Sequence, residues 1–71
     1  MRQLKIMIID DEKGIVFIVQ KTYEQRGFVT CGANDGLTAV EVFQKERPDI
    51  IFIDIHMPLS PIDGIETLKR I

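Results

Sequence analysis

Ile50-Ile51-Phe52-Ile53-Asp54-Ile55 is the stretch on which the fold turns. Its apolar residues do not alternate with polar ones, so the strand it predicts needs cover on both faces, as in a parallel sheet. The sole polar interruption, Asp54, stands near the C-terminal end, where burying a carboxylate costs free energy and calls for a reason. Upstream, Pro48 closes a helix in which Leu37, Val40 and Phe43 mark one face, Ala39 and Val42 flank it, and Glu41 and Lys45 form an i, i+4 pair on the solvated side. Before that helix come the turn signal Asn34-Asp35-Gly36 and a short β-prone run from Phe28 to Ala33. Gly27 is placed as a left-handed stop to a helix over 13–26, whose Ile15, Ile18, Val19 and Tyr23 recur at three- and four-residue spacings. The first strand runs from Leu4 to Ile9. Downstream of Asp54, the prolines between Met57 and Pro61 forbid further strand, and Asp63-Gly64 opens a final helical segment with Ile65, Leu68 and Ile71.

The predicted order is βαβαβα, with no linker, repeat or low-complexity stretch. Buried strands alternating with amphipathic helices specify an α/β, three-layer sandwich: a parallel sheet with helices on both faces and right-handed crossovers. Ligands of such sheets bind at the rim formed by the strand C-termini. At 71 residues the chain holds one small domain, and its 45% hydrophobic and 28% charged residues exclude disorder and collagen-like repetition. The net charge of -2, without a block of one sign, argues against direct nucleic-acid binding. Cys31, the single cysteine, rules out an internal disulfide and reads as a buried small hydrophobe in a reducing compartment. Asp10 and Asp11 cut the first apolar run too short for a signal-peptide core or a membrane span, so a cytoplasmic, soluble protein is expected.

Asp10, Asp11 and Glu12 follow the first strand and Asp54 ends the third. If those strands are neighbours, three or four acids share a few ångströms. Clustered like charges demand a cation or raised pKa values. Oxygen donors without a cysteine or a second histidine favour a hard divalent ion, and few carboxylates plus water suit Mg2+ better than Ca2+. Asp11 or Glu12 could instead cap the first helix, although one cap needs only one side chain. A carboxylate beside magnesium can attack phosphorus, which would leave an acyl phosphate on Asp54. A metal site with water as nucleophile would use similar acids.

Ile8-Ile9-Asp10-Asp11-Glu12, Pro48 to Ile55, Met57-Pro58 and Asp63-Gly64-Ile65-Glu66 together resemble the receiver domain of bacterial two-component response regulators. The resemblance spans essentially the whole chain. It implies a flavodoxin-like parallel sheet of order 2-1-3, Asp54 as phosphoacceptor, and magnesium held by Asp10, Asp11, Asp54 and the backbone carbonyl of His56. The implied phosphodonor is the phosphohistidine of a histidine kinase. His56 itself is expected to expose its imidazole without a direct catalytic role, Met57 to pack in the loop, and Lys13 to start the first helix.

Two departures qualify the resemblance. Leu59-Ser60-Pro61-Ile62 makes the loop after Pro58 two residues longer than the family's usual one, so the turn above the acceptor should be reshaped. Receiver domains have five βα units and residues 1–71 supply three, the last incomplete, so the Ser or Thr and the Lys that contact the phosphoryl group at the later strand ends fall outside this sequence. A receiver of this extent is expected to switch poorly and to leave its third strand as an open apolar edge. Pairing of third strands in a homo-oligomer, or exchange of elements, would complete the sheet. Two other functions stay open: a magnesium-dependent phosphohydrolase using Asp10 or Asp54, and an inert self-associating fragment. The common phosphohydrolase signature wants a second Asp two positions on, where this sequence has Glu12 and His56.

Overall fold

Two isoleucine-rich runs and the short stretch Val29–Ala33 pair into a sheet, and the segments between them coil back over it. The computed structural model describes residues 3–71. In chain order the elements are β1 (Lys5–Ile9), α1 (Lys13–Glu24), β2 (Val29–Ala33), α2 (Gly36–Glu46), β3 (Ile50–Ile53) and α3 (Gly64–Arg70). All pairing is parallel and the sheet order is β2-β1-β3, with Ile6 opposite Thr30 on one side and Ile50 on the other. The expected α/β sandwich of flavodoxin-like order is therefore present, and the sheet is open.

β1 lies at the centre and alternates its side chains between two cores. Met7 and Ile9 pack with Ala33, Ala39 and Met57 on the face covered by α2, where Ile51, Ile53 and Ile71 join them. Ile6 and Ile8 pack with Val16 on the α1 face, where Val19, Tyr23 and Phe28 close the cluster. Met57 thus belongs to the main core, a deeper place than simple loop packing. Cys31 is only half-buried, less than expected.

The element boundaries move by a few residues. β1 begins at Lys5 and β2 at Val29, and α1 ends at Glu24, two residues before Arg26. The stop works as the sequence suggests: Gln25 N–H still reaches the Lys21 carbonyl, while Gly27 adopts φ +92° and lets Phe28 N–H bond back to the Tyr23 carbonyl. β3 ends at Ile53, although Asp54 N–H continues the ladder to the Ile9 carbonyl at 2.9 Å.

The helix faces differ from the expected ones for a shared reason. On α1, Val16 is buried, Val19 and Tyr23 are half-buried, and Ile15 and Ile18 face outward, Ile18 with 60% of its surface exposed. Val16 sits over Gly32 of β2, where an added Cβ would come within 2.6 Å of its Cγ1. The missing side chain admits the helix at that point and sets its rotation. On α2 the residues in contact are Gly36 and Ala39, with Val42 and Phe43 beside them, while Leu37 is exposed. On α3, Gly64 and Thr67 are buried, and Ile65 and Leu68 are exposed. Small residues mark the close approaches, and larger apolar ones are displaced to the flanks.

Helix starts follow local chemistry. Asp35 accepts a hydrogen bond from Thr38 N–H at 2.8 Å and Asp63 from Glu66 N–H at 2.8 Å, both as N-caps. Glu12 occupies the corresponding position of α1, but its side chain makes no cap bond, so the capping explanation for that acid does not hold.

Candidate functional site

Backbone ladders bring the acids together. Asp10 is the first residue beyond β1 and its N–H donates to the Ala33 carbonyl at 3.2 Å. Asp54 is the first residue beyond β3 and is tied to the Ile9 carbonyl. Because β1 and β3 are neighbours in parallel register, these residues emerge at the same C-terminal rim. One carboxylate oxygen from each of Asp10, Asp11 and Asp54 lies within 4.8 Å of the others. The predicted meeting of the strand ends is realised with three acids. Glu12 is exposed and takes no part in the cluster.

Each of the three carboxylates is held by a main-chain amide. Glu12 N–H donates to Asp10 Oδ1 at 3.0 Å, Leu59 N–H to Asp11 Oδ2 at 2.9 Å, and His56 N–H to Asp54 Oδ1 at 3.0 Å. These bonds restrict the rotation of the carboxylates. Asn34 Nδ2 adds a contact to the Asp10 carbonyl at 3.3 Å. Among the described residues, the ion pairs join Lys5 to Glu46, Lys21 to Glu24 and Arg70 to Glu66, so none neutralises the cluster. Lys13 begins α1 with an exposed side chain, and His56 is exposed as expected.

The donor set fits a hard divalent cation: three carboxylate oxygens at one rim, without sulfur or imidazole in the cluster. A cation held there would screen the charge of an incoming anion while one carboxylate attacks it.

Sequence reasoning missed the support for Asp11. The amide of Leu59 comes from the loop whose extra length signalled a reshaped turn, and Ser60 fastens that loop by accepting from Gly36 N–H at 2.8 Å. The Ser60-Pro61 addition was visible in the sequence; its contact with a helix start on the far side of the rim was not.

Comparison with known proteins agrees with this geometry. The family model for the response regulator receiver domain matches residues 6–71. The chain is similar to sporulation initiation phosphotransferase F of Bacillus subtilis, with 41% identity over 66 residues, 93% of this chain and 52% of that protein. It is also similar to the alkaline phosphatase synthesis transcriptional regulatory protein PhoP of Bacillus subtilis, with 37% identity over 94% of this chain and 27% of that protein. Among solved structures, the N-terminal domain of a response regulator receiver protein from Methanoculleus marisnigri JR1 superposes with a TM-score of 0.86 at 34% identity, over 94% of this chain and 53% of that one. The chain thus spans about half the length of the first of these relatives. With its sheet order, its rim of acids and these similarities in agreement, the chain belongs to the response regulator receiver domain family.

Proposed function

We propose that residues 1–71 form the first three βα units of a receiver domain and capture a phosphoryl group on Asp54. Asp10, Asp11 and Asp54 hold Mg2+ with the backbone carbonyl of His56. The observation that supports this reading is the convergence of three carboxylate oxygens within 4.8 Å at the strand C-termini. Bound Mg2+ supplies positive charge against the oxygens of the entering phosphoryl group. The protein residues do the rest. The His56 amide on Oδ1 orients the Asp54 carboxylate, whose oxygen forms the new O–P bond as the P–N bond of a phosphohistidine breaks. The departing imidazole keeps the electron pair, and the product is an acyl phosphate.

The donor in this proposal is a histidine kinase, the usual source for the family. The net charge of -2 favours a protein partner over direct contact with nucleic acid. No helix among the described residues is long and apolar enough to cross a membrane, in keeping with a proposed cytoplasmic site of action. Assembly is part of the same reading. β3 has β1 on one side only, and Ile50 and Phe52 remain 37% and 39% exposed, so a second copy would pair there edge to edge. Sedimentation showing a compact monomer at high concentration would remove the assembly.

Phosphoryl capture is tested by treating the protein with acetyl phosphate and Mg2+ and measuring intact mass. A single adduct is expected that disappears with a chelator and in Asp54→Asn. An adduct that persists in Asp54→Asn moves the acceptor elsewhere, and sustained turnover of a phosphate ester would replace this reading with a phosphohydrolase. Failure to bind Mg2+ at millimolar concentration would favour the inert fragment.

A further inference from the structure

The loop after Pro58 is built to hold one amide in place. Leu59 leaves 78% of its surface exposed, yet its N–H points inward and donates to Asp11 Oδ2 at 2.9 Å. The next residue, Ser60, is half-buried and uses its hydroxyl twice, accepting from Gly36 N–H at 2.8 Å and donating to the Ile62 carbonyl at 2.6 Å. Ser60 N–H closes the turn onto the Met57 carbonyl at 3.1 Å, and Met57 is anchored in the core. Gly36 is the first residue of α2, so its N–H has no partner within the helix and depends on an outside acceptor. The junction is tight: a Cβ on Gly36 would meet Thr67 Oγ1 and come within 2.5 Å of Ile62 Cγ1. Pro58 and Pro61 fix φ on either side, which leaves Leu59 and Ser60 as the pair whose backbone can still turn.

We propose that Ser60 is a positioning residue for the cation site: by clasping the loop to the start of α2, it holds the Leu59 N–H on Asp11 and so fixes a carboxylate that binds magnesium. The inference rests on the reading of Asp10, Asp11 and Asp54 as that site. Groups that orient a metal ligand from behind typically change affinity by about 10- to 100-fold. Here one removed hydroxyl acts through an amide, so the lower end, about tenfold, is expected.

The test titrates Mg2+ into the protein, follows the amide resonances of residues 10, 11 and 54, and separately measures amide exchange at Leu59 without metal. Ser60→Ala should expose the Leu59 amide to exchange and weaken Mg2+ binding about tenfold, and Ser60→Thr should restore both. An amide-to-ester replacement at Leu59 removes the donor and leaves the turn and the Ser60 hydroxyl in place, so it should weaken binding similarly while the Gly36 amide stays protected. Wild-type affinity in Ser60→Ala, or a Leu59 amide still protected there, overturns the proposal. If Ser60→Ala does not fold, the Leu59 ester decides, and unchanged affinity in it overturns the proposal equally. A wild-type protein that binds no Mg2+ overturns the site reading and this inference together, which sets that outcome apart from a failure of the clasp alone.

Discussion

β1 and β3 are written in nearly the same residues, Lys-Ile-Met-Ile-Ile against Ile-Ile-Phe-Ile, and meet opposite fates. The four residues of β1 from Ile6 to Ile9 are at most 3% exposed, whereas Ile50 and Phe52 of β3 keep more than a third of their surface in solvent. Ile6 and Ile50 are register partners and the same residue type, separated by little except rank in the sheet. Burial is thus a property of a strand's position among its neighbours. An unbroken apolar run specifies that a strand wants two covered faces, and it does not specify how fully the chain supplies them.

The sharpest way to break that comparison is the matched pair Ile6→Ala and Ile50→Ala. Denaturant unfolding should show a loss of about 3 to 4 kcal/mol for Ile6→Ala, comparable to the whole stability of a domain this small, and about 1 kcal/mol for Ile50→Ala. Equal losses would mean that β3 is as well covered as the centre. Phe52→Ala should fall between them, near 2 kcal/mol, because the ring is partly exposed but tilts against Tyr23 at 5.4 Å between centroids. Restoration by Phe52→Leu to within a few tenths of a kcal/mol would assign the effect to area instead of ring geometry.

Asp49 sharpens the comparison at the other end of the two strands. Its carboxylate accepts from Lys5 N–H and its own N–H donates to the Lys5 carbonyl, each at 2.8 Å, so it fastens the start of β3 to the start of β1. Asp49→Ala should cost about 1 kcal/mol in the same unfolding assay and speed amide exchange at Lys5 more than at Ile8.

The smallest effect belongs to β2, the opposite edge. Burial pushes the Cys31 thiol up, reinforced by Glu46 and opposed by Lys5. The folded protein therefore keeps this proton to higher pH than the unfolded chain. The contribution is fully present below the ordinary thiol pKa of about 8.5 and is lost as pH rises through the folded value. Wild type should lose slightly more stability than Cys31→Ala over that alkaline window, and identical pH profiles would show that the half-buried thiol is as well solvated as in the unfolded chain.

The parallel sheet was legible because strand runs and turn residues are local signals, whereas the order 2-1-3 came from the family resemblance, and the meeting of Asp10, Asp11 and Asp54 follows once that order makes β1 and β3 neighbours. Helix rotation was not. The run Gly14-Ile15-Val16-Phe17-Ile18-Val19 is apolar around its whole circumference, and the choice among its faces was made by Gly32, a residue on another element. The same holds for Thr67 against Gly36: threonine is an unpromising core residue until its hydroxyl is seen to bond the Asp63 carbonyl at 2.7 Å and its body to fill the space over a glycine. Asp35 and Asp63 as caps follow from their neighbours in sequence. The Leu59 amide on Asp11 joins residues 48 positions apart and left no local trace.

The ladder bonds from Asp10 N–H to Ala33 and from Asp54 N–H to Ile9 carry a further consequence. Because Asp10 and Asp54 sit on the last rungs of the sheet, their separation inherits the pitch between adjacent strands, about 4.8 Å. A slip of one residue between β1 and β3 would turn Asp54 toward the opposite layer and empty the rim of one charge. The peptide backbone thus sets the gauge between Asp10 and Asp54, while Asp11, beyond the ladder, takes its place from the Leu59 amide.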